Sequence, residues 1–257
     1  MATQLLVAQE KSMQRFISKD KAAFVASLSP YTTYNKLNTA TKDKYNVSEM
    51  LAPMLLGMAG GDMSEENVKK VEQDLSDTKK VGLNTQQDIY IWAQRPEKMS
   101  KGDSDALLFN LVIPVTDGNK LRSFLDQLFG ADKIKSMIPK GDALNMVHNG
   151  MLLNWNKERL IISGSSSKQS FFEDREEFET RQKEMYMDLA TSLGEVTVAN
   201  SIQKDEAYQS QIQKDADFGF WMDYNNIMPP LDQVPMQARE LMGSLYELVG
   251  GLKLSGH

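Results

Sequence analysis

The sequence predicts an α+β fold: an antiparallel sheet with helices packed on one of its faces. Three observations predict it. Short runs alternate apolar and polar residues at the period of a strand, and Asn149-Gly150, between two of them, is a hairpin signal. The most apolar run, 106–115, is followed at once by an amphipathic helical pattern at 118–129. Hydrophobic residues make up 41% of the 257 residues and charged residues 25%, enough apolar material for a packed core.

The first strand is read at 22–29 (AAFVASLS), closed by Pro30. A polar stretch, 32–47, separates it from a helix in which Met50, Leu51, Met54, Leu55 and Met58 recur at helical spacing. Pro53 fits the first turn of that helix if it starts near Leu51, and Gly60-Gly61 ends it. Ser64 is the expected N-cap of a second helix, with Glu65 and Glu66 at its positive end. Its apolar stripe is thin (Val68, Val71, Leu75), and Gly82 is a stop.

The run 88–93 (DIYIWA) is a strand with Ile89, Ile91 and Ala93 on one face. In 106–115, Leu107, Phe109, Leu111, Ile113 and Val115 share one unbroken apolar face. Asp117 caps the next helix, whose Leu121, Phe124, Leu125, Leu128 and Phe129 fall at i, i+3, i+4, i+7 and i+8. That stripe is expected to pack on Phe109, Leu111 and Ile113. A meander follows at 144–147, 151–155 and 160–163. A charged helix is read at 174–193, mostly solvated, with Phe178, Met185, Leu189 and Leu193 loosely on one side, and a short one at 201–214. A strand at 217–224 puts Phe218, Phe220, Met222 and Tyr224 on one face. After Pro235, Ala238, Leu241, Met242, Leu245, Leu248 and Val249 define a last amphipathic helix.

The order strand, linker, Met- and Pro-containing apolar helix occurs at 22–58 and again at 217–249. Residues 1–200 are therefore expected to hold a first α+β unit. Residues 201–257 are expected to begin a second, related and truncated unit that docks on the first, leaving apolar exposure near Met236, Met242 and Leu252. The last residues read as the start of a strand, so the native chain is expected to continue.

Cysteine is absent, and the histidines are His148 and His257. Thiol catalysis, disulfides and Cys/His zinc sites are thereby excluded. The net charge of -6 argues against a nucleic-acid surface. No calcium loop and no Gly-rich phosphate cradle occurs, so no metal and no organic cofactor are expected. The apolar run at the N-terminus is too short for a secretory h-region and follows no basic segment, and no window has the length of a membrane span. Both a cytoplasmic address and export after signal removal fit.

Three segments carry a family resemblance: KDKAAFVASLSPYTTYNKL, GLNTQQDIYIWAQ and KDEAYQSQIQKDADFGFWMDY. They resemble, in turn, the opening, the aromatic strand and the later Asp-aromatic-Trp strand of a family of uncharacterised putative lipoproteins of Bacteroidota. The resemblance runs from about Phe16 to Tyr224. It implies an α+β domain of unknown function with two related halves, and an envelope location after lipidation. It implies no activity. This chain has no lipidation cysteine, so membrane association would rest on an anchor outside it.

Chemistry-bearing constellations are sparse. Ser165-Ser166-Ser167-Lys168 matches S-x-x-K, in which lysine activates the serine, but its companion motifs are absent. His148 abuts the Asn149-Gly150 turn, where a polar turn residue is the simpler reading. Methionine is abundant, at 16 residues. Met50, Met54 and Met58, with Met236 and Met242, fill a core or line an apolar contact surface. The expected function is that of a non-enzymatic cell-envelope protein that binds or scaffolds another envelope protein or an apolar ligand. The alternatives are a hydrolase of serine or acid-pair type, and a cytoplasmic adaptor.

Overall fold

The computed structural model describes residues 12–30, 33, 36, 48–60, 63–98, 106–169, 173–211, 217–227 and 253–256, without the side chains of 48–50, 211 and 253–256. The fold is α+β. One antiparallel sheet contains β1 (Ala22–Leu28), β2 (Ile89–Gln94), β3 (Leu108–Pro114), β4 (Ile138–Lys140), β5 (Ala143–His148), β6 (Met151–Trp155), β7 (Arg159–Ser165), β8 (Phe218–Asp223) and β9 (Lys253–Gly256). Their spatial order is β4-β5-β6-β7-β3-β2-β1-β8-β9. The described helices are α1 (Ser48–Ala59), α2 (Glu65–Leu75), α3 (Gly118–Phe129), α4 (Ala131–Lys135), α5 (Arg175–Glu195), α6 (Glu206–Gln211) and α7 (Tyr224–Ile227).

Alternation sorts each strand's side chains onto two faces. On the first, Leu111 and Ile113 of β3 meet Ile89 of β2, Leu160 and Ile162 of β7, and Leu153 and Trp155 of β6. Helices α1 to α4 close over them with Leu51, Leu55, Met58, Val71, Leu75, Leu121, Phe124, Leu125, Leu128 and Ile134. The α3 stripe is buried as its spacing predicts, Phe124 being 5% exposed. Burying such a side chain contributes about 1.5–3 kcal/mol. Asp117 accepts from the backbone N–H groups of Asn119 and Lys120, and Ser64 from that of Asn67, so both caps form where expected.

The expectation of helices on one face describes only half of the architecture. The second face is covered too, by α5, α6 and the 3₁₀ turns Met13–Phe16 and Ile202–Lys204. Here Val25, Tyr90, Trp92, Leu108, Val112, Leu152, Ile161 and Trp221 pack against Met185, Tyr186, Leu189, Leu193, Ile202 and Tyr208. The charge of α5 hid this role. Its solvent side carries the Glu, Lys and Arg residues, while Met185, Tyr186, Leu189, Ala190 and Leu193 line the inner side of its last three turns.

Two local expectations are corrected. α1 starts at Ser48 rather than near Leu51, so Pro53 lies inside the helix and the Glu49 carbonyl lacks its helical donor. Phe109 does share a face with Leu111 and Ile113, but it is 47% exposed and no partner of α3. It lies toward the other end of β3, beyond the reach of the helix.

The Asn149-Gly150 hairpin forms between β5 and β6, both residues at positive φ (47° and 70°) as a tight primed turn requires. Asn149 then donates from Nδ2 to the Met58 carbonyl at 3.0 Å, tying the hairpin tip to the end of α1. Gly82, at φ 79°, lies so close to α3 that an added Cβ would sit 2.2 Å from the Asp117 carbonyl oxygen. Its own carbonyl accepts from the backbone N–H groups of Thr116 and Asp117.

Candidate interaction surface

Among the described residues, the helix layer on the first face stops short. No residue of β1 or β8 belongs to the core under α1 to α4. Yet the register extends the same face across both strands. Leu111 pairs with Ile91, Ile91 with Ala26, and Ala26 with Phe220. Phe109 pairs with Ala93, Ala93 with Phe24, and Phe24 with Met222, while Leu28 joins Ile89 to Phe218. Every side chain that β3, β2, β1 and β8 contribute to this face is apolar.

Beyond the edge of the helices this face opens. Ile91 is 38% exposed, Phe109 47% and Phe218 49%, and Phe24, Leu28, Phe220 and Met222 are half-buried around them. Ala26 and Ala93 form a low floor between the larger residues. Gly164 of β7, beside Phe109, would meet nothing within 4 Å if it carried a Cβ. An open apolar area of this kind is a candidate contact surface.

Polar contacts hold the rim. Lys36 pairs with Asp217 at 2.9 Å, and Ser29 donates its hydroxyl to Asp88. At the other end, Asn226 donates to the Ala22 carbonyl at 2.9 Å and Arg95 to the Ile227 carbonyl, fixing α7 against β1 and β2. The reverse side of β8 is filled: Trp221 is fully buried and meets Tyr208 edge-on, ring centres 6.0 Å apart. Burial pushes the Tyr90 and Tyr208 phenols up, so both stay neutral packing groups on that side.

The residues singled out from sequence fall elsewhere. Met58 is fully buried in the core of the first face, and Met54 is half-buried against it. Met50 lies on α1, its side chain outside the described residues, as are Met236 and Met242 altogether. Ser165 and His148 are not brought together. Met151 pairs with both His148 and Gly164, so His148 shares a face with Gly164 while Ser165, next along the strand, points to the other. The Ser165 hydroxyl instead accepts from the Ser167 backbone N–H at 2.9 Å. His148 contacts Lys133 Nζ at 3.0 Å, and burial, then that ammonium, hold its pKa below the usual value.

A surface depression of about 1040 Å³ runs along α5 and is lined mainly by acidic residues. The Arg181–Glu173 ion pair, at 2.7 Å, lies in it. Among the described residues, no group of three or more His, Asp or Glu side chains is placed to hold a metal ion, and no helix is long and apolar enough to cross a membrane.

Phe109, Ile91 and Phe218 are the site residues that sequence reasoning did not single out. The signal was present: unbroken apolar alternation on four strands, with fewer helical stripes than faces to cover. It acquires its meaning only from the strand order, which sets β8 beside β1.

No curated protein and no solved structure matches the chain. Residues 15–238 match a family described as a domain of unknown function (DUF4836), and with most of its length inside that match the chain belongs to this family.

Proposed function

We propose that the chain is a non-enzymatic binding or scaffolding protein of the cell envelope, and that its contact surface is the open apolar face of β3, β2, β1 and β8. One observation carries the reading: large apolar side chains, Phe109 and Phe218 among them, stand about half exposed on a rigid, fully hydrogen-bonded sheet. Such a surface gains free energy by covering, at about 25 cal/mol per Å² of apolar area removed from water. It holds no nucleophile, base or charge with which to transform what covers it. The envelope address follows from the resemblance to putative lipoproteins.

Two experiments test this. A pull-down from native envelope fractions compares the wild-type chain with an Ile91→Glu/Phe109→Glu variant. Specific capture by the first and its loss in the second are expected; equal capture by both would overturn the contact surface. Fractionation of the native cells should place the protein with the envelope, and recovery in the soluble cytoplasm would favour the adaptor reading.

A further inference from the structure

We infer that Asn149 is a site of spontaneous conversion to aspartate and isoaspartate, and that the conversion permanently unties the β5–β6 hairpin from α1. The turn itself supplies the chemistry. Its ladder closes with the pair His148 and Met151, so the Gly150 N–H lies outside the ladder. Both turn residues are exposed, and glycine has no Cβ to crowd its own nitrogen. A backbone nitrogen that follows an asparagine can attack the side-chain carbonyl carbon, and glycine hinders that attack least.

The step needs no partner but water. The Gly150 nitrogen bonds to Asn149 Cγ and gives up its proton. The Cγ–Nδ2 bond breaks, and ammonia leaves with that proton. The cyclic imide that remains then takes up a water molecule. Hydrolysis of the new bond to Cγ leaves aspartate in an ordinary backbone. Hydrolysis of the original peptide bond leaves isoaspartate, with the chain running through the side-chain carbons.

What is lost is a tie to the helix layer. Asn149 Nδ2 donates to the Met58 carbonyl at 3.0 Å. Met58 lies in the last turn of α1, where carbonyls have no donor within the helix. Gly60, at φ 95°, is so near that an added Cβ would sit 3.0 Å from the same Nδ2. The amide is therefore seated against the end of α1. A carboxylate in its place cannot donate, and it brings negative charge to the negative end of a helix. Isoaspartate also lengthens the backbone of a turn that has no slack. The tip has a second tie on the other face, where the Tyr186 hydroxyl of α5 donates to the Gly150 carbonyl at 2.5 Å. That bond does not involve the lost amide. The altered hairpin thus stays on α5 and leaves α1. Neither product returns to the amide, so the share of untied chains grows with the age of the protein.

Two measurements on the full chain test this. In the first, the purified chain is held in mildly alkaline buffer and its peptides are followed by mass spectrometry, with fragmentation locating each amide-to-acid change. Conversion is expected at Asn149 ahead of Asn200, whose follower Ser201 is fully buried. An intact Asn149, or earlier conversion at Asn200, would overturn the inference. The second is hydrogen exchange in an Asn149→Asp chain. Asp-Gly forms the same kind of turn, so the variant isolates the lost donor. Backbone amides in the last turn of α1 should exchange about tenfold faster than in the wild type, while those of α5 keep their rate. Unchanged exchange in α1 would show that Asn149 holds nothing there and would overturn the release. Equal acceleration in α1 and α5 would overturn it too, because the effect would then be a general loss of stability.

Discussion

The two halves of the first sheet face are made of the same material and end differently. Under α1 to α4, Leu111, Ile113, Leu160 and Ile162 are all but inaccessible. A few ångströms further across the same strands, Ile91 and Phe109 stand in the open. Strand alternation therefore settles which residues share a face, while burial is decided by where the helix layer ends. An apolar face is a necessary condition for a core, and this molecule has enough of it for a core and a surface.

The comparison breaks most sharply under truncation. Phe124→Ala, in the covered half, should lose about 3–5 kcal/mol of stability in urea unfolding. Phe109→Ala, in the open half, should lose about 1 kcal/mol or less. Equal losses would mean that the halves are packed alike.

A smaller effect comes from the seam that positions the covering helices. Gly82→Ala places a methyl against the Asp117 carbonyl at a positive φ, and should cost more than about 1 kcal/mol. A neutral or stabilising outcome would show that α3 is not fixed at its start.

The smallest sharpens the boundary of the covered half at His148. Its pKa is lowered in the folded state, by burial and by Lys133. The unfolded chain therefore takes up a proton near pH 6.5 that the folded chain resists. Stability contributed by the neutral ring is present above that pH and is lost as pH falls below it. His148→Gln should flatten the dependence of the urea midpoint between about pH 7 and 5. An unchanged slope would remove His148 from the packed region.

Much of the fold was legible in advance. The α3 stripe, the Asn149-Gly150 turn and the caps at Ser64 and Asp117 are local patterns with local causes. What escaped was set at long range. α5 reads as a mostly solvated charged helix with a loose apolar side, and only a sheet with a second apolar face turns that side, with Tyr186 and Ala190 added to it, into core. The methionine stripe of α1 fits a core or a contact surface equally well in the sequence, and Met58 is core because it joins a cluster with strand residues, Leu153 and Leu160 among them, about a hundred positions further along. Phe109 was assigned to the right face and the wrong surroundings, since nothing in 106–115 tells how far α3 reaches.

The pairing of β8 with β1 has a consequence for the birth of the molecule. Ser27 and Gly219 face each other across that seam 192 residues apart in the chain. At about 5–20 residues per second, a ribosome needs about 10–40 s to bring the second strand out after the first. For that interval the outer edge of β1 displays unpaired backbone groups beside Phe24 and Leu28, a template open to any extended chain nearby. A strand that ends up inside the finished sheet is thus an edge strand in its youth, and the time until β8 arrives is the period in which a neighbouring nascent chain can take its place.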